Sequence, residues 1–359
     1  MLMSKNNQTS SALARNGKHA LRMALYVLCA LLVLLAPLFT SKYVMRILIM
    51  LYVYAILSVS LNMLSGYLGE ISLGHSIFFA VGAYTASVLA TKFGMNYWLA
   101  VLFACLVAGA FSALLGAQTL SVSGAYLAIV SLGYYYVLRT IIIIWEGVTG
   151  GAIGIFNIPT ATLFGTKLVI KNGGAYYHIL AFLLLTLLID HLVLNSKFGR
   201  TIKAVREDCL AANLVGIYTN RYKIFAFAYS GFFAGLAGAF YGQFITYINP
   251  ANFTFDMSVT ILAMVVLGGR GNVKGALLGA CILSPLGELI RQLTTLMKNA
   301  PSWMQIENPD QWRFVIYGLL LIVMMQVRPL GLLGGLDKRP YRLPKGVVVK
   351  DGGKSDGVS

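Results

Sequence analysis

The chain is a succession of apolar runs, most of them close to twenty residues long, divided by short segments that hold most of its charges. About twenty apolar residues span the hydrocarbon core of a bilayer as a helix. In that solvent every backbone N–H and C=O must be paired inside the protein, so a chain patterned this way is expected to fold as a bundle of transmembrane helices. The 359 residues are 58% hydrophobic and only 11% charged, whereas a soluble domain carries charge at about a quarter of its positions.

The runs fall at 23–39, 47–64, 71–90, 98–120, 126–144, 177–194, 224–248, 258–267, 276–296 and 312–327. The expected fold is therefore all-α: a polytopic transmembrane bundle of about ten segments, some of them short or broken. The run at 258–267 is too short to cross as a straight helix at about 1.5 Å per residue. The run at 71–90 is preceded by Leu68-Gly69-Glu70 and opens Ile71-Ser72-Leu73-Gly74-His75-Ser76. Glycines and polar groups at membrane depth require surrounding protein or a wet cavity.

Lys5, Arg15, Lys18 and Arg22 precede the first run, and Leu35-Ala36-Pro37-Leu38-Phe39 offers no small-x-small exit. An uncleaved first helix with its amino end inside is expected. Ten crossings then place 195–223 in the cytoplasm with Lys197, Arg200, Lys203, Arg206, Arg221 and Lys223. The same parity puts Arg270, Lys274 and the basic tail inside, as the positive-inside bias requires. The implied layout is a cytoplasmic tail at 1–22, a transmembrane domain at 23–335 and a cytoplasmic tail at 336–359, with both ends inside. This topology accounts for the net charge of +16; no basic stripe interleaved with aromatics points to nucleic acid. Cys29, Cys105, Cys209 and Cys281 lack disulfide or metal spacing, and no metal site is expected.

Gly231, Gly235, Gly238 and Gly242 recur at intervals of four, three and four, which puts them on one helical face and lets a neighbouring backbone approach; Gly275 and Gly279 repeat the device. In the basic segment, alanine, leucine and paired charges favour a short helix from about Thr201, with Gly216 as its stop. Two readings are open: a basic helix held by anionic lipid, or a docking helix that fits a groove on a soluble partner.

The stretch 198–217 resembles the coupling segment of ABC importer permeases, whose glutamate, alanine pair and glycine are met here by Glu207, Ala211, Ala212 and Gly216. Ile71-Ser72-Leu73-Gly74-His75-Ser76, Val148-Thr149-Gly150-Gly151, Met264-Val265-Val266-Leu267-Gly268-Gly269-Arg270-Gly271 and Arg328-Pro329-Leu330-Gly331 are similar to signatures of the branched-chain amino-acid importer permeases, in particular their M-type subunit. The resemblance runs from about residue 45 to 335. It implies a partner permease of the H type, two cytoplasmic ATPase subunits, a periplasmic binding protein and a place in the bacterial inner membrane. Arg200, Arg206, Glu207, Asp208, Ala211, Ala212 and Gly216 would then contact the ATPases. ATP and Mg would be used by those subunits and no cofactor bound by this chain.

The chain itself is not expected to be an enzyme. Gly268-Gly269-Arg270-Gly271-Asn272-Val273-Lys274-Gly275 does not meet the phosphate-loop pattern, and no His-Glu-x-x-His cluster is present. A charge near a helix centre costs about 2.5 to 3.5 kcal/mol on insertion scales, so ionisable groups within the runs stand out. Glu70 and His75, with Asn62, Ser65, Ser72 and Ser76, either line a polar route for a zwitterionic solute or satisfy broken backbone. Arg139 and the pair Glu288 and Arg291, three apart on one face, read as structural, and Asp190 and His191 as interfacial. Segment 145–176 reads as an external loop. An ion-coupled secondary transporter and a membrane-embedded assembly factor are the alternatives from other classes. Urea, short amides and other amino acids are the alternative substrates.

Overall fold

The computed structural model describes residues 34–37, 40–122, 124–163, 166–168, 173–297, 309–328 and 331–334. The tails 1–22 and 336–359 and all but 34–37 of the expected first crossing lie outside the described residues.

The described chain is helical nearly throughout. Helix α1 (Lys42–Asn62) runs without interruption into a π-helical turn, Met63–Leu68. It is followed by α2 (His75–Lys92), α3 (Tyr97–Gln118), α4 (Ala125–Ile144), the single turn α5 (Glu146–Thr149) and α6 (Gly174–Asn195). Then come α7 (Lys197–Glu207), α8 (Cys209–Leu214), α9 (Thr219–Ile245), α10 (Phe255–Gly268), α11 (Val273–Met297) and α12 (Pro309–Val327). The all-α expectation needs one small correction. The segment after α5 holds a two-residue antiparallel pair, Thr162–Leu163 with Thr166–Lys167, and Ile155 bridges to Ile248. Glycines crowd this segment, and left-handed backbone at Gly150, Gly151 and Gly154 folds it back over the end of α9.

Seven described segments are long and apolar enough to cross a membrane: Lys42–Leu68, Tyr97–Gln118, Ala125–Ile144, Gly174–Asn195, Thr219–Ile245, Pro250–Gly268 and Val273–Ile290. The run expected to be too short is extended by its flanks. Thr254 caps α10 by accepting a hydrogen bond from Met257 N, and a 3-10 turn, Pro250–Asn252, precedes it. The run expected at 71–90 instead loses its beginning, since 70–74 is irregular and α2 starts only at His75.

α1 and α9 are the most enclosed of these segments, whereas α3, α4 and α6 each keep an exposed apolar stripe, exemplified by Leu99, Leu102 and Leu106, by Ile129 and Val137, and by Leu184, Leu188 and Leu192. An apolar outer surface is what a bilayer solvates and water does not. Packing inside relies on small residues, as expected where lipid tails are as apolar as leucine. The glycine face of α9 serves two neighbours in turn. A Cβ at Gly231 or Gly235 would run into Ser112 or Ala108 of α3, and one at Gly238 or Gly242 into the Phe79–Ala83 backbone or Ser87 of α2. Gly275 and Gly279 bring α11 equally close to Gly268 and Met264 of α10, and Leu332 N and Leu333 N donate at 3.0 Å to the carbonyls of Leu267 and Gly268 at the end of α10.

Gly238→Leu should therefore overpack the α9–α2 contact and cost about 1–3 kcal/mol or more, read as a lower melting temperature in detergent. Gly133 faces open space on α4, and Gly133→Ala should be stabilising by about 0.5–1 kcal/mol in the same assay.

Candidate functional site

The end of the bundle that carries α7 and α8 gathers three irregular backbones: the π turn of α1, the break at 69–74, and the turn between α10 and α11. Each exposes polar backbone that a straight helix would have paired, and each is met by a specific side chain.

α7 lies across this end. Ser196 caps it by accepting from Gly199 N, and Gly199, Ile202 and Val205 are buried on its inner face. Lys203 places its ammonium 5.3 Å from the centroid of the Tyr67 ring, within cation–π reach. Arg206 threads between two glycines: its Cγ lies where a Cβ on Gly69 would come within 3.0 Å, and its Nη1 where one on Gly271 would come within 3.1 Å. That Nη1 donates to the carbonyl of Gly66, inside the π turn, at 2.5 Å. Partial burial and the neighbouring Arg206 guanidinium both push the pKa of Arg270 below its ordinary value, so α7 and the α10–α11 turn meet through two like charges.

The single helix expected from about Thr201 to Gly216 is two helices. Asp208 takes an extended backbone, φ −154° and ψ 107°, and its Oδ1 accepts from Leu210 N at 2.8 Å and Ala211 N at 2.9 Å. A short carboxylate at that position offers the backbone a cap, which competes with continuing the helix. Gly216, at φ 84°, ends α8 in the left-handed region as anticipated. Ala212 is buried, while Arg200, Arg206, Glu207, Asp208 and Ala211 are exposed. Around them Leu210, Leu214, Val215 and Tyr218 are 72%, 81%, 76% and 71% exposed. This apolar knob stands among charged residues, and within the described residues Arg221 lies over the Tyr218 ring at 5.1 Å.

Glu70 sits at this same end. Its Oε1 pairs with Lys223 Nζ at 3.1 Å, the side chains being 8% and 11% exposed, and its Oε2 accepts from Gly124 N at 3.2 Å. Lys223 stood in the sequence only as a topology charge. The pair ties the break after α1 to the first turns of α9 and to the start of α4. A cavity of about 310 Å³ opens beside it, lined by Glu70, Ser121, Gly124, Arg206 and Lys223 among others.

The other five path candidates are buried and, where bonded, hold backbone or a neighbouring side chain. Asn62 Oδ1 accepts from Gly271 N at 2.9 Å, and Ser65 donates to Leu61 O. Ser76 N donates to Ser258 Oγ at 2.8 Å, and Ser258 Oγ in turn donates to Ser76 Oγ at 2.7 Å. His75 Nε2 lies 2.9 Å from Ser60 Oγ, which also donates to Leu57 O. Ser72 Oγ and His75 Nδ1 have no partner among the described residues. A larger cavity, about 590 Å³, lies toward the opposite end between α1, α10 and α11 and is lined by none of the six. Asp190, anticipated at the interface, is 1% exposed and accepts from Tyr229 OH at 3.1 Å. Among the described residues no group of His, Cys, Asp and Glu could hold a metal ion.

Residues 43–325 match the family described as branched-chain amino acid transport system permease component. The chain is 33% identical over 330 residues to the high-affinity branched-chain amino acid transport system permease protein LivM of Escherichia coli (strain K12), covering 85% of this chain and 74% of that protein. It is 26% identical over 299 residues to the corresponding permease LivH of Salmonella typhimurium, 78% of this chain and 91% of that one. A shorter likeness, 28% over 177 residues, covers 48% of this chain and 45% of the fructose import permease protein FrcC of Rhizobium meliloti. No solved structure matches.

Removing one partner of the Glu70–Lys223 pair should leave an uncompensated, nearly buried charge at a cost of about 3–5 kcal/mol. Glu70→Gln and Lys223→Met are each expected to lower the melting temperature in detergent, and the double variant to recover much of the loss.

Proposed function

This chain belongs to the branched-chain amino acid transport permease family, and on that premise we propose that it is the transmembrane permease subunit of an ATP-driven, binding-protein-dependent importer of branched-chain amino acids. It pairs with a second, H-type permease in the bacterial inner membrane. Two cytoplasmic ATPase subunits use ATP and Mg, and a periplasmic binding protein delivers the solute. The chain crosses about ten times with both ends inside. It comprises the tail 1–22, the permease domain 23–335 with its coupling segment at 195–223, and the tail 336–359.

The exposed knob on α8 supports this reading best. A contiguous apolar patch beside charge marks a protein contact, and the exposed Leu210, Leu214, Val215 and Tyr218 follow in the chain on the exposed charges Arg200, Lys203, Arg206, Glu207 and Asp208. α7 and α8 together act as the lever that an ATPase grips. Motion applied to the knob passes through Arg206 and Lys203 to the π turn and through Glu70 and Lys223 to α9. A bistable bundle needs only a few kcal/mol of bias from such a grip.

Because Arg206 and Asp208 also hold the fold locally, the exposed leucines give the clearer test. Leu210→Glu and Leu214→Glu are expected to weaken retention of the ATPase subunits about tenfold or more and to abolish ATP-driven leucine uptake by the reconstituted complex, with the melting temperature of the chain unchanged. Undiminished retention would remove the segment from the coupling. Labelling of a cysteine at position 207 from the periplasmic side would overturn the topology, and uptake driven by an ion gradient without ATPases would favour a secondary transporter. Competition by urea, short amides or other amino acids in the same assay assigns the substrate.

A further inference from the structure

The larger cavity is not among the positions that the motifs single out, yet its walls are sorted by chemistry. Tyr43, Arg46, Met50 and Val53 line it from α1 at spacings of three, four and three, so one face of that helix forms a wall. α10 contributes Met257, Thr260 and Met264, and α11 contributes Leu283, Ser284 and Glu288. The volume, about 590 Å³, falls in the range of about 300–1,000 Å³ usual for small-molecule sites.

The sorting runs along the depth of the cleft. Arg46 is exposed and Glu288 half-buried at the mouth, at the end away from α7 and α8. Val53, Phe79, Met264 and Leu283 are buried at the floor, together with Thr260 and Tyr317, whose hydroxyls donate to the carbonyls of Asp256 and Leu283. Seven helical residues separate Arg46 from Val53, about 10 Å along α1. Tyr43 OH donates to Glu288 and accepts from Gln292 Nε2 at 2.8 Å, which holds the carboxylate at the mouth. A guanidinium and a carboxylate on lipid-facing surface would be costly, so this face borders water or protein.

We propose that this cleft binds the transported solute in passage, as a zwitterionic amino acid with an apolar side chain. Its carboxylate meets Arg46, its ammonium meets Glu288, and its side chain lies on the Val53–Met264–Leu283 floor. The proposal rests on the permease reading above and adds to it a site that the sequence motifs do not mark. Two opposite charges at one mouth recognise both ends of a zwitterion, while a mostly apolar floor whose hydroxyls are already bonded to backbone accepts leucine, isoleucine or valine without selecting sharply among them, as one methylene is worth only about 1–3 kcal/mol.

The test uses the complete complex in proteoliposomes, with Ser284→Cys in a background free of other cysteines and a charged methanethiosulfonate reagent added from the binding-protein side. Leucine should slow labelling severalfold, while 4-methylpentanoate, which lacks the ammonium, and isoamylamine, which lacks the carboxylate, should slow it far less. Arg46→Gln and Glu288→Gln should each abolish the protection. Each should also cut ATP-driven uptake about tenfold or more, the loss of one charge-assisted hydrogen bond, while binding-protein-stimulated ATP hydrolysis persists. Equal protection by all three compounds, no protection by leucine, or normal uptake by both variants would overturn the assignment. So would a cysteine shielded in the complex whether or not leucine is present, which would give the cleft to the partner permease. Absence of ATP-driven uptake in the unmutated complex would instead count against the importer reading, and the labelling result would still decide the cleft.

Discussion

Backbone pairing in a medium without water governs this structure. A straight helix satisfies its own N–H and C=O groups, so the bundle can be irregular only where side chains or neighbouring backbone replace the lost partners. Inside the bundle the described chain is irregular at the π turn Met63–Leu68 and the break that follows, and it surrounds that stretch with compensation. Asn62 holds Gly271, Ser131 accepts from Leu73 N, Ser258 caps the start of α2, and Arg206 reaches the Gly66 carbonyl. π turns recur at functional sites in helices, and here the turn receives the side chains that α7 extends into the bundle.

The same economy explains the small residues. Without a hydrophobic difference between helix and lipid, contact area at short range supplies the packing energy. α9 therefore alternates glycine and alanine with large aromatics, the small face sitting on α3 and then α2 while Phe227, Phe233 and Phe240 fill the space around it. One helix can then hold two neighbours along its length.

The two ends of the bundle differ in character. One is charged, stitched and capped by an amphipathic pair of short helices with an apolar knob. The other is glycine-rich, covered by the segment after α5 and opened by a cleft whose charges sit at the rim. An exposed apolar knob at one end and a cleft at the other fit the division of labour expected of an importer's membrane half.

The amino-acid sequence by itself determined the helical bundle, the positions of nearly all described helices to within a few residues, the close-packing glycine face and the left-handed stop at Gly216, because apolar run length, helical spacing and the absence of a Cβ are properties of local sequence. It also marked Glu70 and His75 as anomalies, since a charge or imidazole in an apolar run is conspicuous without any structure. What those groups touch was decided only by tertiary folding. Glu70 meets Lys223 across 153 positions, Gly271 meets Asn62 across 209, and Tyr43 meets Glu288 across 245, distances over which spacing carries no information. The cleft was invisible for the same reason: Glu288 read as structural beside Arg291 on its own helix and Arg46 drew no reading, and only the juxtaposition of α1 with α11 brings Arg46 and Glu288 to the walls of one cavity.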